Sequence, residues 1–370
     1  MNDMMSILFA SGNESKLNEL TLHRTTASLP FGGRYRLIDF TLSNLVNSGI
    51  TQIGIVTRSN YQSLMDHIRQ GRDWDLIRKN GGISVFPPFV YNSSREAYKG
   101  KIEAIYSILS FLNHAEEEYV VLSNCNVAAN IDFDDIFESH IKSGAEITVV
   151  SHRGYTTTSS RVVIEKDKDN KVTDVYETEY AGTEEKLISL NIYLIKKDLL
   201  IESVQNAYAH GLVDFEKDIL FKLVDKGTVY TYEIDGYAAI VDDVKTYYTE
   251  SMNLLDYETR KALFDQEGKI YTKVKDSVPT VYKDGAKVTN SLLADGCVIN
   301  GTVENSILFR NVKIEEGAVV KNSIVMENGY VGKNSSLSYA ITDKDVSISE
   351  DRTISGFATY PIVIVKGKKV

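Results

Sequence analysis

Behind an apolar run, Ile7-Leu8-Phe9-Ala10, the chain carries a short polar loop with Ser11, Gly12, Glu14 and Lys16. A loop leaving a buried strand is where an α/β protein cradles the phosphates of a nucleotide, because successive backbone amides can converge there on an anion. This loop is poorly equipped for that chemistry. Gly12 is its single glycine, and glycines are what let a backbone approach phosphate in conformations closed to other residues. Glu14 would set a carboxylate beside a polyanion, and at ~4 Å with an effective dielectric of ~20 such a contact costs roughly 4 kcal/mol before screening. Lys16 offers a cation without the planar fork of arginine.

The elements that would hold this loop follow a simple alternation. Ile7–Ala10 reads as a strand, Ile38–Ser48 as a helix, Gln52–Thr57 as a strand and Gln62–Arg69 as a helix. A helix is predicted over Ile102–Leu112, a buried strand over Tyr119–Ser123 and a further strand over Ile147–Val150. Near-continuous apolar strands separated by helices predict a mostly parallel α/β sheet covered on both faces. This Rossmann-like domain is expected to occupy residues 1–264.

The rest of the chain differs in kind. A polar connector spans 265–287, and after it apolar residues recur every six positions. Val312, Ala318, Ile324 and Tyr330 form one register, and Val319, Val325, Val331 and Leu337 the adjacent one. Glycines and asparagines punctuate the corners. That period is neither helical nor a simple strand alternation, and it predicts a left-handed β-helix of hexapeptide repeats over 288–370. An ordinary antiparallel sheet would need longer strands than these turn signals allow. Hexapeptide β-helices also occur in acyltransferases that rely on a histidine, but all six histidines (His23, His67, His114, His140, His152, His210) precede the repeat. Acyl transfer therefore ranks last.

Composition narrows the partners. The chain has 370 residues, 41 basic and 51 acidic, for a formal net charge of −10. That balance argues against nucleic acid or an anionic membrane as the main partner, so any anion site must be local. The two cysteines, Cys125 and Cys297, lie far apart, which disfavours a disulfide framework or thiolate metal site and fits a reducing cytoplasm. No apolar run has membrane length, and no basic segment leads into an apolar signal-like core.

Through Leu29-Pro30-Phe31-Gly32-Gly33-Arg34-Tyr35-Arg36-Leu37-Ile38-Asp39-Phe40, Ser43-Asn44-Leu45-Val46-Asn47-Ser48-Gly49-Ile50, Asp214-Phe215 and Ser251-Met252-Asn253-Leu254-Leu255, the chain resembles the glucose-1-phosphate adenylyltransferases (ADP-glucose pyrophosphorylases) over nearly its whole length. The resemblance implies a nucleotidyltransferase domain followed by a β-helix, and an activity making ADP-glucose and pyrophosphate from ATP and glucose 1-phosphate. It also shows where this chain departs from the pattern. The family's nucleotide loop, L-A-G-G-x-G-S/T-R-L, aligns without a gap to Phe9–Leu17, so two of three glycines are gone. The lysine of R-A-K-P-A becomes Thr26. G-T-A-D-A becomes Gly100-Lys101-Ile102-Glu103-Ala104, and the lysine of F-x-E-K-P, which contacts the sugar phosphate in the family, becomes Thr178 beside Glu179.

The metal ligands the resemblance implies are also replaced. Nucleotidyl transfer needs Mg²⁺, and a hard cation wants carboxylate oxygens. Cys125 stands at the aspartate position of L-S-G-D-H, and Ile240 at that of G-Y-W-x-D-V-G-T, with Asp242 and Asp243 nearby as the only substitutes. What survives by the same alignment is His23, Arg24 and Arg36, at positions where the resembling bacterial enzymes hold phosphorylated effectors; the plainer reading is that Arg36 pairs with Asp39 and Arg24 caps a helix.

These losses together resemble the GlgD-type, non-catalytic branch of the family. The expected function is a regulatory subunit in glycogen synthesis, without cofactor of its own, in a cytoplasmic hetero-tetramer whose catalytic partner subunit binds the Mg²⁺. A phosphorylated sugar effector is expected, and neither nucleic acid nor a membrane. The alternative is an active sugar-phosphate nucleotidyltransferase with rerouted ligands.

Overall fold

The computed structural model describes residues 3–12, 14–58, 60–79, 81–88 and 98–370. Its central sheet grows from the strand Met4–Phe9, every residue of which is buried. Gln52–Val56 and Tyr119–Asn124 pair with it in parallel on either side, and Gly82–Phe86 continues beyond Gln52–Val56. On the other flank the long strand Glu185–Lys196 adds antiparallel to Tyr119–Asn124 and carries the remaining strands. Helices cover both faces because the central strands are apolar on both sides. Two buried clusters result, one packing Leu42, Leu45 and Ile55 with Phe133, the other Ile102, Ile105 and Leu122 with Phe215.

The segment predicted as one helix over Ile102–Leu112 is two, Lys101–Ser107 and Leu109–His114, with a break at Ile108. Periodicity alone cannot reveal such a break, because both pieces bury residues against the same sheet. Pro30–Phe31 and Tyr35–Arg36 form a small hairpin whose turn needs left-handed backbone at Gly32 (φ 59°) and Gly33 (φ 82°), which glycine adopts without penalty. The helix Leu37–Asn47 leaves that hairpin with the Asp39 carboxylate accepting from the Arg36 amide at 3.0 Å.

Beyond the helix Tyr257–Phe264 the chain reaches three parallel stacks of short strands, the three faces of the left-handed β-helix. Its first rung, Val281–Tyr282, pairs with Val298–Ile299 and so falls inside the span read as connector. Early rungs step by 15 residues, as from Leu292 to Ile307, and the middle ones by 17, as from Ile307 to Ile324 and at the corner from Ser306 to Ser323. Seventeen is not a multiple of six, so the two sequence registers cannot both stay inside. Val312, Ala318, Val325, Val331 and Leu337 fill the interior of the β-helix. Ile324, stacked between Ile307 and Ile341, faces outward instead and packs on the first domain with Phe309 and Met326 against Leu17, Leu20, Tyr247 and Tyr248. Tyr330 is only half-buried. Each large apolar side chain buried in that seam contributes about 1.5–3 kcal/mol, which makes the two domains one packed unit. Among the described residues no helix is long and apolar enough to cross a membrane.

Candidate functional site

Phe9, Val56 and Asn124 mark the carboxyl ends of three neighbouring parallel strands and line a cleft of about 230 Å³. From the central strand the chain builds Gln52–Val56 and Gly82–Phe86 on one side and then crosses back to Tyr119–Asn124 on the other, so the cleft sits at a topological switch point, where open α/β sheets bind their ligands. Ser11, Gly12, Thr57 and Arg58 form one wall, and Lys101, Asp214 and Glu216 the other. Gly100 closes the floor against the opposite backbone: a Cβ there would lie 2.1 Å from the Val213 carbonyl oxygen. Only glycine fits.

The polar loop is occupied by its own side chain. Glu14 folds back so that its carboxylate accepts from the Gly12 amide at 2.8 Å, and from the Thr26 amide and hydroxyl at 3.4 and 3.3 Å. The donors a phosphate would use thus already face an internal anion. Lys16 turns away to Glu179 at 3.4 Å, an exposed pair that contributes little. Thr178 ends the strand Val172–Thr178 opposite Arg161, with its hydroxyl accepting from the Tyr180 amide at 3.3 Å. The adjacent Glu177 is held below the usual carboxylate range by hydrogen bonds from Lys217 and Ser160.

Cys125 follows the strand Tyr119–Asn124 and is buried; burial pushes its thiol up to about 12, so it stays protonated. Ile240, in Ala238–Ile240, pairs with Val127 and presents only hydrocarbon. Of the two nearby aspartates, Asp242 meets Arg161 Nε at 3.1 Å and accepts from Asn126 at 3.0 Å. Burial raises its carboxyl above the ordinary value despite Arg161. Asp243 caps the helix Val244–Asn253 through the Thr246 amide at 2.7 Å and accepts from Ser159 at 2.7 Å. Among the described residues no cluster of three or more His, Cys, Asp or Glu could hold a metal ion. A neutral thiol, an alkyl chain and two committed carboxylates do not suit Mg²⁺, which demands oxygen donors in near-octahedral array.

Lys101 entered the sequence analysis only as part of the altered Gly100–Ala104 motif. Its ammonium pairs with Glu216 and lies 5.5 Å from the Phe9 ring centroid and 5.6 Å from that of Tyr193. Burial would raise Glu216, but Lys101 outweighs it and keeps the carboxyl below its ordinary value. Glu216 opens a π-helical turn, Glu216–Leu220, a wide turn frequent at functional sites. The Asp214-Phe215 pair and the altered Gly100–Ala104 motif were the signals for this wall, and neither pointed to Glu216.

The three effector candidates have different fates. His23 is exposed. Arg24 is buried and clamps Asp343 of the β-helix at 2.7 and 3.0 Å, while its other terminal nitrogen donates to the Leu20 carbonyl at 3.1 Å. Arg36 donates to Ser63, carbonyl and hydroxyl, at 2.6 and 3.0 Å, and burial lowers its guanidinium from the usual value. Lys344 lies close enough to feel both arginines; burial pulls its ammonium down to about 8 against the attraction of Glu327. The structure thus brings Arg24 and Arg36 to one charged seam.

A nucleotide-type sheet with its cleft at the switch point, followed by a hexapeptide β-helix, defines a class. Residues 5–254 match the family described as Nucleotidyl transferase, and 277–358 match the GlmU-like C-terminal hexapeptide family. The chain belongs to the nucleotidyl transferase family. It is 35% identical over 355 residues to the glucose-1-phosphate adenylyltransferase of Bacillus mycoides (strain KBAB4), covering 95% of this chain and 94% of that protein. The enzyme of the same name from Bacillus anthracis matches at 35% with the same coverage. The glycogen biosynthesis protein GlgD of Bacillus subtilis (strain 168) is 34% identical over 369 residues, covering 99% of this chain and 96% of that protein.

Proposed function

We propose that this chain is a catalytically inactive, regulatory subunit of an ADP-glucose pyrophosphorylase acting in glycogen biosynthesis. It pairs with a catalytic subunit in a cytoplasmic hetero-tetramer, and that partner supplies the Mg²⁺ chemistry. The observation that carries this reading is the Glu14 carboxylate seated on the Gly12 and Thr26 donors, because a triphosphate would have to displace a fixed negative charge to reach them. The chain acts by favouring one conformational state of the catalytic subunit through subunit contacts, which requires contacts that differ between the states. The proposal includes a phosphorylated sugar effector, whose contacts on this chain fall to His23 and Arg36, since Arg24 is committed to Asp343.

The competing reading is an active nucleotidyltransferase with Asp242 or Asp243 as metal ligand. Arg161 and the helix cap already engage these carboxylates, so they count against it. Co-purification with a catalytic subunit, and initial rates of ADP-glucose synthesis with and without this chain, test the proposal. Association with a changed activator response is expected. Pyrophosphate release by this chain alone, or no association at all, would overturn it.

A further inference from the structure

The last coil of the β-helix is longer than the one before it. Ile324 pairs with Ile341, 17 residues on, whereas Ala340 pairs with Ile362, 22 residues on. The extra length forms a tight hairpin in which Phe357 and Tyr360 lie opposite each other. The Phe357 amide donates to the Tyr360 carbonyl at 3.1 Å, and the Tyr360 amide to the Phe357 carbonyl at 3.0 Å. Directly opposed residues send their side chains to one face of a hairpin, so the two rings stand together, 74% and 79% exposed. The base of the hairpin is fixed: Gly356 and Pro361 are buried, and a Cβ on Gly356 would lie 2.4 Å from the Tyr339 carbonyl oxygen. Two large rings held in water on a rigid turn mark a contact surface.

The strand that leads into the hairpin, Thr353–Ser355, is the last of its stack and pairs with Ser336–Ser338. Leu337 is buried in the β-helix interior and Ile354 packs against it, so Ser336 beside Thr353 and Ser338 beside Ser355 turn four uncharged hydroxyls outward. The outer edge of Thr353–Ser355 has no strand beside it among the described residues, which leaves main-chain donors and acceptors at the same corner. An anchor for a protein partner would sit within an apolar, water-excluding core; this pair sits beside hydroxyls and open backbone. That mixture suits a sugar, whose hydroxyls both donate and accept and whose ring C–H bonds meet the negative face of an aromatic. An open platform holds weak contacts best in series, which favours a chain of sugars over a single ring. We propose that this corner binds a run of a neutral α-glucan, its ring faces on Phe357 and Tyr360 and its hydroxyls on Ser336, Ser338, Thr353 and Ser355. The choice of an α-glucan rests on the glycogen-biosynthesis reading; the platform itself does not.

Native electrophoresis of the full chain through gels containing glycogen, with plain gels and gels containing the β-glucan laminarin as references, tests it. Glycogen is expected to retard the chain in proportion to its concentration, and laminarin is not. Replacing both rings, Phe357→Ala with Tyr360→Ala, should weaken glycogen binding at least about tenfold, whereas Phe357→Tyr should keep it. Both positions are exposed, so the double variant should melt as the native protein does. No retardation by glycogen, equal retardation by laminarin, or unchanged retardation of the double variant overturns the proposal. So does a double variant that loses only its association with a catalytic subunit, which would make the hairpin a protein contact. The gels contain no partner subunit: failed regulation of a partner would sink the regulatory reading and leave glucan binding standing, and absent glucan binding would do the reverse.

Discussion

Arg24 and Asp343 meet across the seam between the two domains, guanidinium to carboxylate at 2.7 and 3.0 Å, with side chains only 2% and 1% exposed. Such a pair offsets its own desolvation only while both charges are present. Asp343→Asn keeps the size and removes the charge, leaving Arg24 buried without its counter-ion. It should destabilise the protein by about 3–5 kcal/mol in urea unfolding. Replacing both residues, Arg24→Met with Asp343→Leu, should lie closer to the native stability, since no charge is then stranded. A double variant as unstable as Asp343→Asn would show that packing, not charge, dominates this contact.

Glu14 makes the second test. Glu14→Gln keeps the shape of the side chain and removes the charge lying on the Gly12 and Thr26 donors. With a like-charge penalty of a few kcal/mol relieved, inorganic tripolyphosphate should bind at least about tenfold more tightly, as read by calorimetry. Turnover should not appear, because Cys125 and Ile240 still provide no metal ligand. Unchanged tripolyphosphate affinity would mean that the loop conformation, not Glu14, shuts the site.

The fold was legible because its signals are local. The all-buried strand Met4–Phe9 is a plain apolar run, and the hexapeptide period marks the β-helix. What escaped the sequence depends on a fractional count or on distant partners. Ile324 belongs to a six-residue series, yet the 17-residue coil turns it outward onto Tyr247 and Tyr248. Arg24 reads as an effector contact or a helix cap until Asp343, distant in sequence, arrives beside it. The substituted positions were visible only against the motifs of the family the chain resembles, and that Glu14 would reach back to Gly12 and Thr26 was not visible at all. A side chain's rotamer is set by the loop around it, which no spacing encodes.

Carboxylates placed at Cys125 and Ile240 test whether this site can bind a metal. Cys125→Asp with Ile240→Asp places two acids where a thiol and an alkyl chain are buried. Burying two charges should cost several kcal/mol of stability without a cation. Mn²⁺, observed by paramagnetic resonance, should bind the double variant and raise its melting temperature, as a ligand specific for the native state must. The native protein should show neither effect. Specific Mn²⁺ binding by the native protein at this cleft would mean that Asp242 or Asp243 has left its present partners.

The last prediction concerns pH and lies at the same seam as Arg24. Burial would raise the Glu327 carboxyl, but Lys344 and Lys275 outweigh it and hold it at about 2, against an ordinary value of 4.5. With its folded value depressed, Glu327 contributes stability that is fully present above pH 4.5 and is lost as the pH falls toward 2, because the unfolded chain takes up the proton first. Lys344, at about 8, is charged throughout that window and remains the partner. The contribution is on the order of 3 kcal/mol from the size of the shift. Denaturant titrations across the acid range should therefore show the native protein losing stability more steeply than Glu327→Gln, with the two curves converging toward pH 2. Parallel acid limbs would mean that the Lys344–Glu327 pair adds no stability in the acid range.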